Sequence, residues 1–276
     1  MSASDKSKCL VREAANYIKE QVYVKPVGGI ILGTGLSSLT DNVENGIVIP
    51  YRDIPGFPVS TAPSHRGQLM IGDYGGKKLL IMQGRFHYYE GYSPEQITFP
   101  IRVMKELELE FLIVTNAAGS LRRELQPGDL VLLEDHINFM GFNPLIGKQD
   151  DKDGERFPSM NEPYSLKLKK IIRTVADEEQ IVLKNGVYLA VSGPSLETKS
   201  ECRAFTAWGA DLVGMSTVPE VIVAVQVKIE VLAISVVTNM SNLFHGEVHH
   251  QADIESCAQK AYGRLSTLLQ KTIGRF

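Results

Sequence analysis

Cysteine is scarce in this sequence. Cys9, Cys202 and Cys257 are an odd number set far apart. They match no zinc-ligand spacing, and they allow no complete disulfide framework. A reducing, cytoplasmic compartment is therefore expected. Long apolar runs are missing too: no stretch approaches the roughly 18 residues of a membrane span. The opening residues, MSASDKSKCLVREAANYIKE, lack the continuous apolar core of a secretory signal. Positive charge is not in excess. Lys and Arg number 29 against 32 Asp and Glu, a net charge of −3, which disfavours nucleic acid or a membrane surface as a partner. Internal repeats, low-complexity tracts and Gly/Ser-rich linkers are also lacking, so a single domain over residues 1–276 is expected.

What is present reads as an ordinary globular chain, 43% hydrophobic and 22% charged. Leu10, Val11, Ala14, Ala15 and Ile18 recur at helical spacing between Ser7 and Gln21. Gly28 to Leu32 is a short apolar strand opening into Gly33-Thr34-Gly35. Gln68 to Gln83 reads as a hairpin with its turn at Gly75-Gly76. A helix follows Pro94 to about Leu109, with Pro100 expected to kink or break it. Strands are expected at Phe111–Thr115, Leu130–Leu133, Val187–Val191, Asp211–Gly214 and Val231–Thr238. Helices are expected over about 164–179, at Lys199–Trp208, from Val218 and from Ile254. Residues 137–163, dense in Gly, Pro, Asn and Asp, read as one long loop, a length that usually carries function. Strands alternating with helices imply an α/β sheet covered on both faces, and the hairpin makes it mixed.

In such sheets ligands bind beyond the carboxyl ends of strands. Six strand ends here are small or polar: Gly33-Thr34-Gly35, Gln83–His87, Thr115–Gly119, Gly193–Thr198, Gly214–Thr217 and Thr238-Asn239. Gly33-Thr34-Gly35 lacks the third glycine of a dinucleotide loop, and no P-loop is present. The turn suits a single phosphate, held by backbone N–H groups and the Thr34 hydroxyl. Arg85 and His87 share a face on extended chain and can add charged donors.

The segments QGRFHYYEGY (83–92), TNAAGSL (115–121), GPSLETKSECR (193–203) and GADLVGMSTVPEVIV (209–223) resemble the trimeric purine nucleoside phosphorylases, in the expected order from about Gly28 to Asn239. Asp135–Asn138 and Arg156-Phe157-Pro158 fit as well. The methylthioadenosine phosphorylases share much of this pattern. The resemblance implies a mixed sheet between helices and a homotrimer with sites near its interfaces. It implies reversible cleavage of a purine nucleoside by inorganic phosphate, with no metal and no organic cofactor.

Carried across by that resemblance, phosphate would be held by Thr34, His65, Arg85, His87, the Ala117 N–H and Ser216. The nucleoside would meet Tyr89, Ala117, Tyr188, Leu196, Glu197, Gly214, Met215 and Asn239, and Phe157 from a neighbouring subunit. His87, Glu197 and Asn239 would carry the chemistry. Glu197 would accept from N1–H of a 6-oxopurine. Asn239 would donate to N7 as charge builds there. The methylthioadenosine branch typically has Asp in its place, so Asn239 favours inosine and guanosine. Two departures stand out. Leu196 replaces a common aromatic, and 240–251 does not match cleanly, leaving His249, His250 or Gln251 for the ribose 5′-hydroxyl; His250 is preferred. The rival readings are a methylthioadenosine phosphorylase and a non-catalytic nucleoside-binding protein. A calcium-dependent nucleoside hydrolase is disfavoured, because the sequence has no aspartate cluster of the kind that would hold the ion.

Overall fold

The computed structural model describes residues 3–62, 65–147, 154–244, 246 and 250–276. Nine strands form one mixed sheet: β1 (Gly28–Ile31), β2 (Glu44–Pro50), β3 (Gln68–Tyr74), β4 (Lys77–Gln83), β5 (Phe111–Ser120), β6 (Leu130–Phe139), β7 (Leu183–Val191), β8 (Leu212–Gly214) and β9 (Glu230–Met240). Their order is β2-β3-β4-β1-β5-β8-β7-β6-β9, and a further pairing of β9 with β5 closes the last five into a ring. β2, β3 and β4 are antiparallel neighbours, whereas β4, β1 and β5 run parallel. The sheet is thus an open wing joined to a closed ring along β5.

Among the described residues six α-helices cover it: α1 (Ala3–Gln21), α2 (Pro94–Glu106), α3 (Leu166–Glu178), α4 (Lys199–Ala207), α5 (Val218–Gln226) and α6 (Gln251–Ile273). Strand alternation sends neighbouring residues to opposite faces. Ile31, Leu80, Met82, Leu112 and Val114 pack with Ile18 of α1, Phe99 of α2 and Val221 of α5. Ile30, Leu79, Ile81, Phe111 and Ile113 pack with Ile172 of α3 and Leu265 and Leu268 of α6. Apolar residues on both faces are why these strands read as continuous hydrophobic runs.

Several expectations need correction. Pro100 does not break its helix: α2 is continuous through it, with Ile97, Phe99, Ile101 and Val103 buried around it. Tertiary packing there outweighs the lost backbone hydrogen bond. α2 starts where expected because Ser93 and Gln96 form a reciprocal capping box ahead of Pro94. β5 runs on to Ser120 and β6 to Phe139, so residues 137–139 belong to a strand, not to the long loop. Asp135 to Phe139 pair with Val187 to Val191 across the sheet. This ladder carries the strand through Asp135, His136 and Asn138, with Ile137 and Phe139 alternating among them. β2 was not foreseen, and α6 begins three residues ahead of Ile254.

Candidate active site

β1 stops opposite Val114, while β5 continues and meets β8 only at Gly119 and Ser120. Residues Thr115–Ala118 therefore face a slot between two strands. Three connections line it: the Gly33–Gly35 turn after β1, the Gly84–His87 segment after β4, and Gly214–Thr217 after β8. Gly33 lies so close that a Cβ would stand 2.7 Å from Asn116 Cα. Its N–H donates to Thr115 Oγ1 at 3.1 Å, and that hydroxyl donates to the Ile31 carbonyl at 3.1 Å. Thr34, half-buried, rides on this turn. Gly35, with φ 76°, packs against Ala258 of α6.

Arg85 fills the floor of the slot and is only 1% exposed. Its Nη1 reaches Ser216 Oγ (2.9 Å), Thr217 Oγ1 (3.0 Å) and Glu220 Oε2 (3.3 Å). Its Nη2 donates to the Thr115 carbonyl. A strand residue turns its N–H and C=O to the same side, and so does the residue two along. The Ala117 N–H thus faces the slot beside the Thr115 carbonyl. Arg85 Nε and His65 Nε2 are buried with no hydrogen-bond partner among the described residues. The Arg85 Nε–H is the donor of the two, and an oxyanion is the ligand that a buried, unpartnered guanidinium N–H would suit.

Three rings form a stack beside Arg85. His65 and His87 have centroids 5.2 Å apart, and His87 and Tyr89 4.6 Å. Gly84 (φ 113°) makes room for it, since a Cβ there would stand 2.6 Å from His65 Cβ. Burial, then the neighbouring His87 and Arg85, hold His65 down at about 4, so its ring is neutral at pH 7. Its Nδ1 sits 3.2 Å from the Arg85 carbonyl. His87 is oriented by Glu90, whose Oε1 lies 2.9 Å from Nδ1 and also accepts from the His87 N–H at 2.8 Å. Burial pushes the Glu90 carboxyl up, but hydrogen bonds from His87 and Thr61 outweigh it and hold the group at about 2. Burial, with Glu90 nearby, pushes Tyr89 up to about 12.

Asn239, Glu197 and Met215 come from three further segments: the end of β9, the residue before the α4 cap and the connection after β8. β5 and β9 shift register so that Ala118 faces Val237 but Gly119 faces Asn239. Thr238 is the extra residue of this bulge, a device that re-aims the next side chain. The Thr238 hydroxyl donates to Asn239 Oδ1 at 3.0 Å. Gly119 makes space for the Asn239 amide, which would lie 3.2 Å from a Cβ there. Glu197 sits just ahead of Thr198, the capping residue of α4. Burial raises its carboxyl, and Asn242 Nδ2 holds its backbone carbonyl at 2.7 Å. Met215 packs against Gly193, whose Cβ would meet its Sδ at 2.4 Å.

Tyr188 is wholly buried and accepts from the Ser216 N–H at 3.4 Å. It thus braces the β8 connection from beneath, over Gly214, where a Cβ would stand 2.3 Å from its Oη. Leu196 is exposed, and Phe157 is 87% exposed, with the Arg156 guanidinium 5.7 Å from its ring centroid. His250 is exposed at the start of α6, and the Gln251 side chain donates to Glu255 at 3.1 Å. His249 lies outside the described residues.

Sequence reasoning missed Glu90, Asn116, Thr217 and Glu220. Only the His-x-x-Glu spacing of His87 and Glu90, within QGRFHYYEGY, carries a signal.

The sequence profile of the phosphorylase superfamily matches residues 28–274. The chain belongs to that superfamily. Purine nucleoside phosphorylase 1 of Geobacillus stearothermophilus is 52% identical over 231 residues, 84% of each chain. The purine nucleoside phosphorylase of Bos taurus is 39% identical over 258 residues, 91% of this chain and 89% of its own. Among solved structures, the Schistosoma mansoni purine nucleoside phosphorylase in complex with inosine superposes with a TM-score of 0.91 at 38% identity, covering 96% of both chains. The same schistosome enzyme has also been solved in complex with adenosine. The nucleoside phosphorylase fold of these neighbours is the mixed sheet described above. Among the described residues of this phosphorylase-superfamily chain, no helix is long and apolar enough to cross a membrane.

Proposed function

We propose that this protein carries out reversible phosphorolysis of purine nucleosides. A nucleoside and inorganic phosphate would yield free purine and ribose 1-phosphate. The observation that carries this reading is the slot beside Thr115–Ala118, with its buried guanidinium, the unpartnered Nε–H of that group and a serine hydroxyl. Phosphate would sit among Thr34, His65, Arg85, His87, the Ala117 N–H and Ser216. The stacked Tyr89, with Met215, would take the ribose.

Phosphate attacks C1′ while the purine leaves, through a ribose of oxocarbenium character. Positioning and fixed donors supply the rate, and no covalent intermediate is needed. Thr238 occupies the Asn239 oxygen and one amide proton goes to the Met240 carbonyl at 3.2 Å, which leaves the second amide proton for N7. A donor there gains strength as N7 becomes negative. Glu197, made more basic by burial, accepts from N1–H of a 6-oxopurine. The substrates would be inosine, guanosine and their 2′-deoxy forms, with phosphate as co-substrate and no organic cofactor or metal. Phe157, exposed on the lone chain, would complete a neighbour's site in a cytoplasmic homotrimer.

The test is purine release with and without phosphate on inosine, guanosine, adenosine and methylthioadenosine. Hypoxanthine release from inosine only when phosphate is present is the expected result. Phosphate-independent release, or methylthioadenosine as the preferred substrate, would overturn the reading.

A further inference from the structure

Thr217 holds the backbone of a γ-turn centre, φ 72° and ψ −57°. The turn is closed by the Val218 N–H donating to the Ser216 carbonyl at 2.8 Å. A residue branched at Cβ avoids this region, so the surroundings must hold it there. The side chain shows how. Its Oγ1 accepts from Arg85 Nη1 at 3.0 Å and from Asn116 Nδ2 at 2.9 Å. A hydroxyl has two lone pairs and one proton. With both lone pairs taken, the Thr217 proton is left for its one further partner among the described residues, Ser216 Oγ, at 3.3 Å. Ser216 Oγ also accepts from Arg85 Nη1 at 2.9 Å. Its own lone pairs are then filled, so its one proton is turned away from Thr217 and Arg85.

We infer that Thr217 is a positioning residue: it fixes the direction of the Ser216 proton and so makes that hydroxyl a ready-oriented donor to an anion. The strained turn is what brings the two hydroxyls side by side. A donor already oriented costs nothing to reorganise when the anion arrives. This rests on the phosphate reading of the slot. Thr217 acts through Ser216, and it has no proposed contact with the nucleoside.

The test compares Thr217→Val, Thr217→Ser and Ser216→Ala with their double variant Ser216→Ala/Thr217→Val, reading KM for phosphate at saturating inosine. Phosphate-dependent release by the unsubstituted protein is measured first, and its absence would sink the phosphate reading itself. Given that release, Thr217→Val is expected to raise KM for phosphate about 5- to 10-fold, the scale of one misdirected hydrogen bond. KM for inosine at saturating phosphate is expected to stay within about twofold. Thr217→Ser keeps the hydroxyl and is expected to stay within about twofold of the parent for phosphate. In the Ser216→Ala background, adding Thr217→Val is expected to change KM for phosphate by less than about twofold, because nothing remains to orient. Where Thr217→Val does not fold, Thr217→Ala carries the same expectation without a branched Cβ. An unchanged KM for phosphate, a serine variant as impaired as the valine one, or an equal effect with and without Ser216 would each overturn the inference.

Discussion

Arg85 is a guanidinium sealed from water, with Glu220, itself 6% exposed at the side chain, as its one carboxylate partner among the described residues. Arg85→Ala is expected to lower kcat/KM by roughly 30- to 1000-fold, about 2–4 kcal/mol, because a charge-assisted donor is lost. It also leaves Glu220 buried and alone, at about 3–5 kcal/mol of stability. Thermal melts run beside the kinetics separate the two effects. Near-normal phosphorolysis in that variant would make Arg85 structural. Asn239→Asp replaces a donor with an acceptor. Inosine cleavage is expected to fall by about 10²-fold, with a smaller fall or a rise for adenosine, read as the ratio of kcat/KM. An unchanged ratio would mean that Asn239 does not read the base. Acid stability follows from His65 and Glu90, both held below their ordinary values. The sign is the same for both: their stabilisation is full above the unfolded pKa and is lost on acidification. His65 contributes the loss between pH 6.5 and about 4, and Glu90 between 4.5 and about 2. Urea melts from pH 7 to 3 are expected to show falling stability, with a shallower fall between 6.5 and 4 in His65→Gln. An identical pH slope in that variant would contradict the neutral, buried ring.

Elements carried most of the legible signal. Hydrophobic runs at Gly28–Leu32 and Phe111–Thr115, the Gly75-Gly76 turn and the helix over 164–179 could be read from the sequence because packing on two faces leaves period and length in the residues. The second halves of β5 and β6 could not. Asn116, Gly119, Asp135 and Asn138 are strand residues because a partner strand completes their ladder, a long-range fact with no local trace. Of the residues proposed to hold phosphate, Arg85, His87 and Ser216 stand in long ordered motifs and Thr34 in a short glycine turn, so the sequence alone singles them out. It does not single out Thr217 and Glu220, since a residue that holds another leaves no chemical signature of its own. Glycine is a further element-level test. Gly214→Ala would drive its Cβ toward Tyr188 Oη at 2.3 Å and is expected to cost about 1–3 kcal/mol in chemical denaturation. Adding Tyr188→Phe is expected to restore part of that loss. No recovery would show that the β8 connection is constrained by something other than the tyrosine.

At the scale of the whole molecule, the exposed Phe157 and the proposed shared site make assembly measurable. The protein is expected to migrate at about three times its 30.5 kDa chain mass, and Phe157→Ala is expected to raise KM for the nucleoside without unfolding the chain. A fully active monomer would rule out a shared site. The five strands β5, β8, β7, β6 and β9 close on themselves, so that half of the sheet has no terminal strand. Among the described residues the open end of the whole sheet is β2, which pairs with β3 alone, begins at Glu44, is irregular around Asn45-Gly46 and ends at Pro50. Charge, irregularity and proline at the ends are how a free strand is kept from recruiting another chain. Amide protons of β2 should therefore exchange with solvent long before those of the ring, and a chain losing its fold gradually would fray from the wing inward, with the five-strand half last to open.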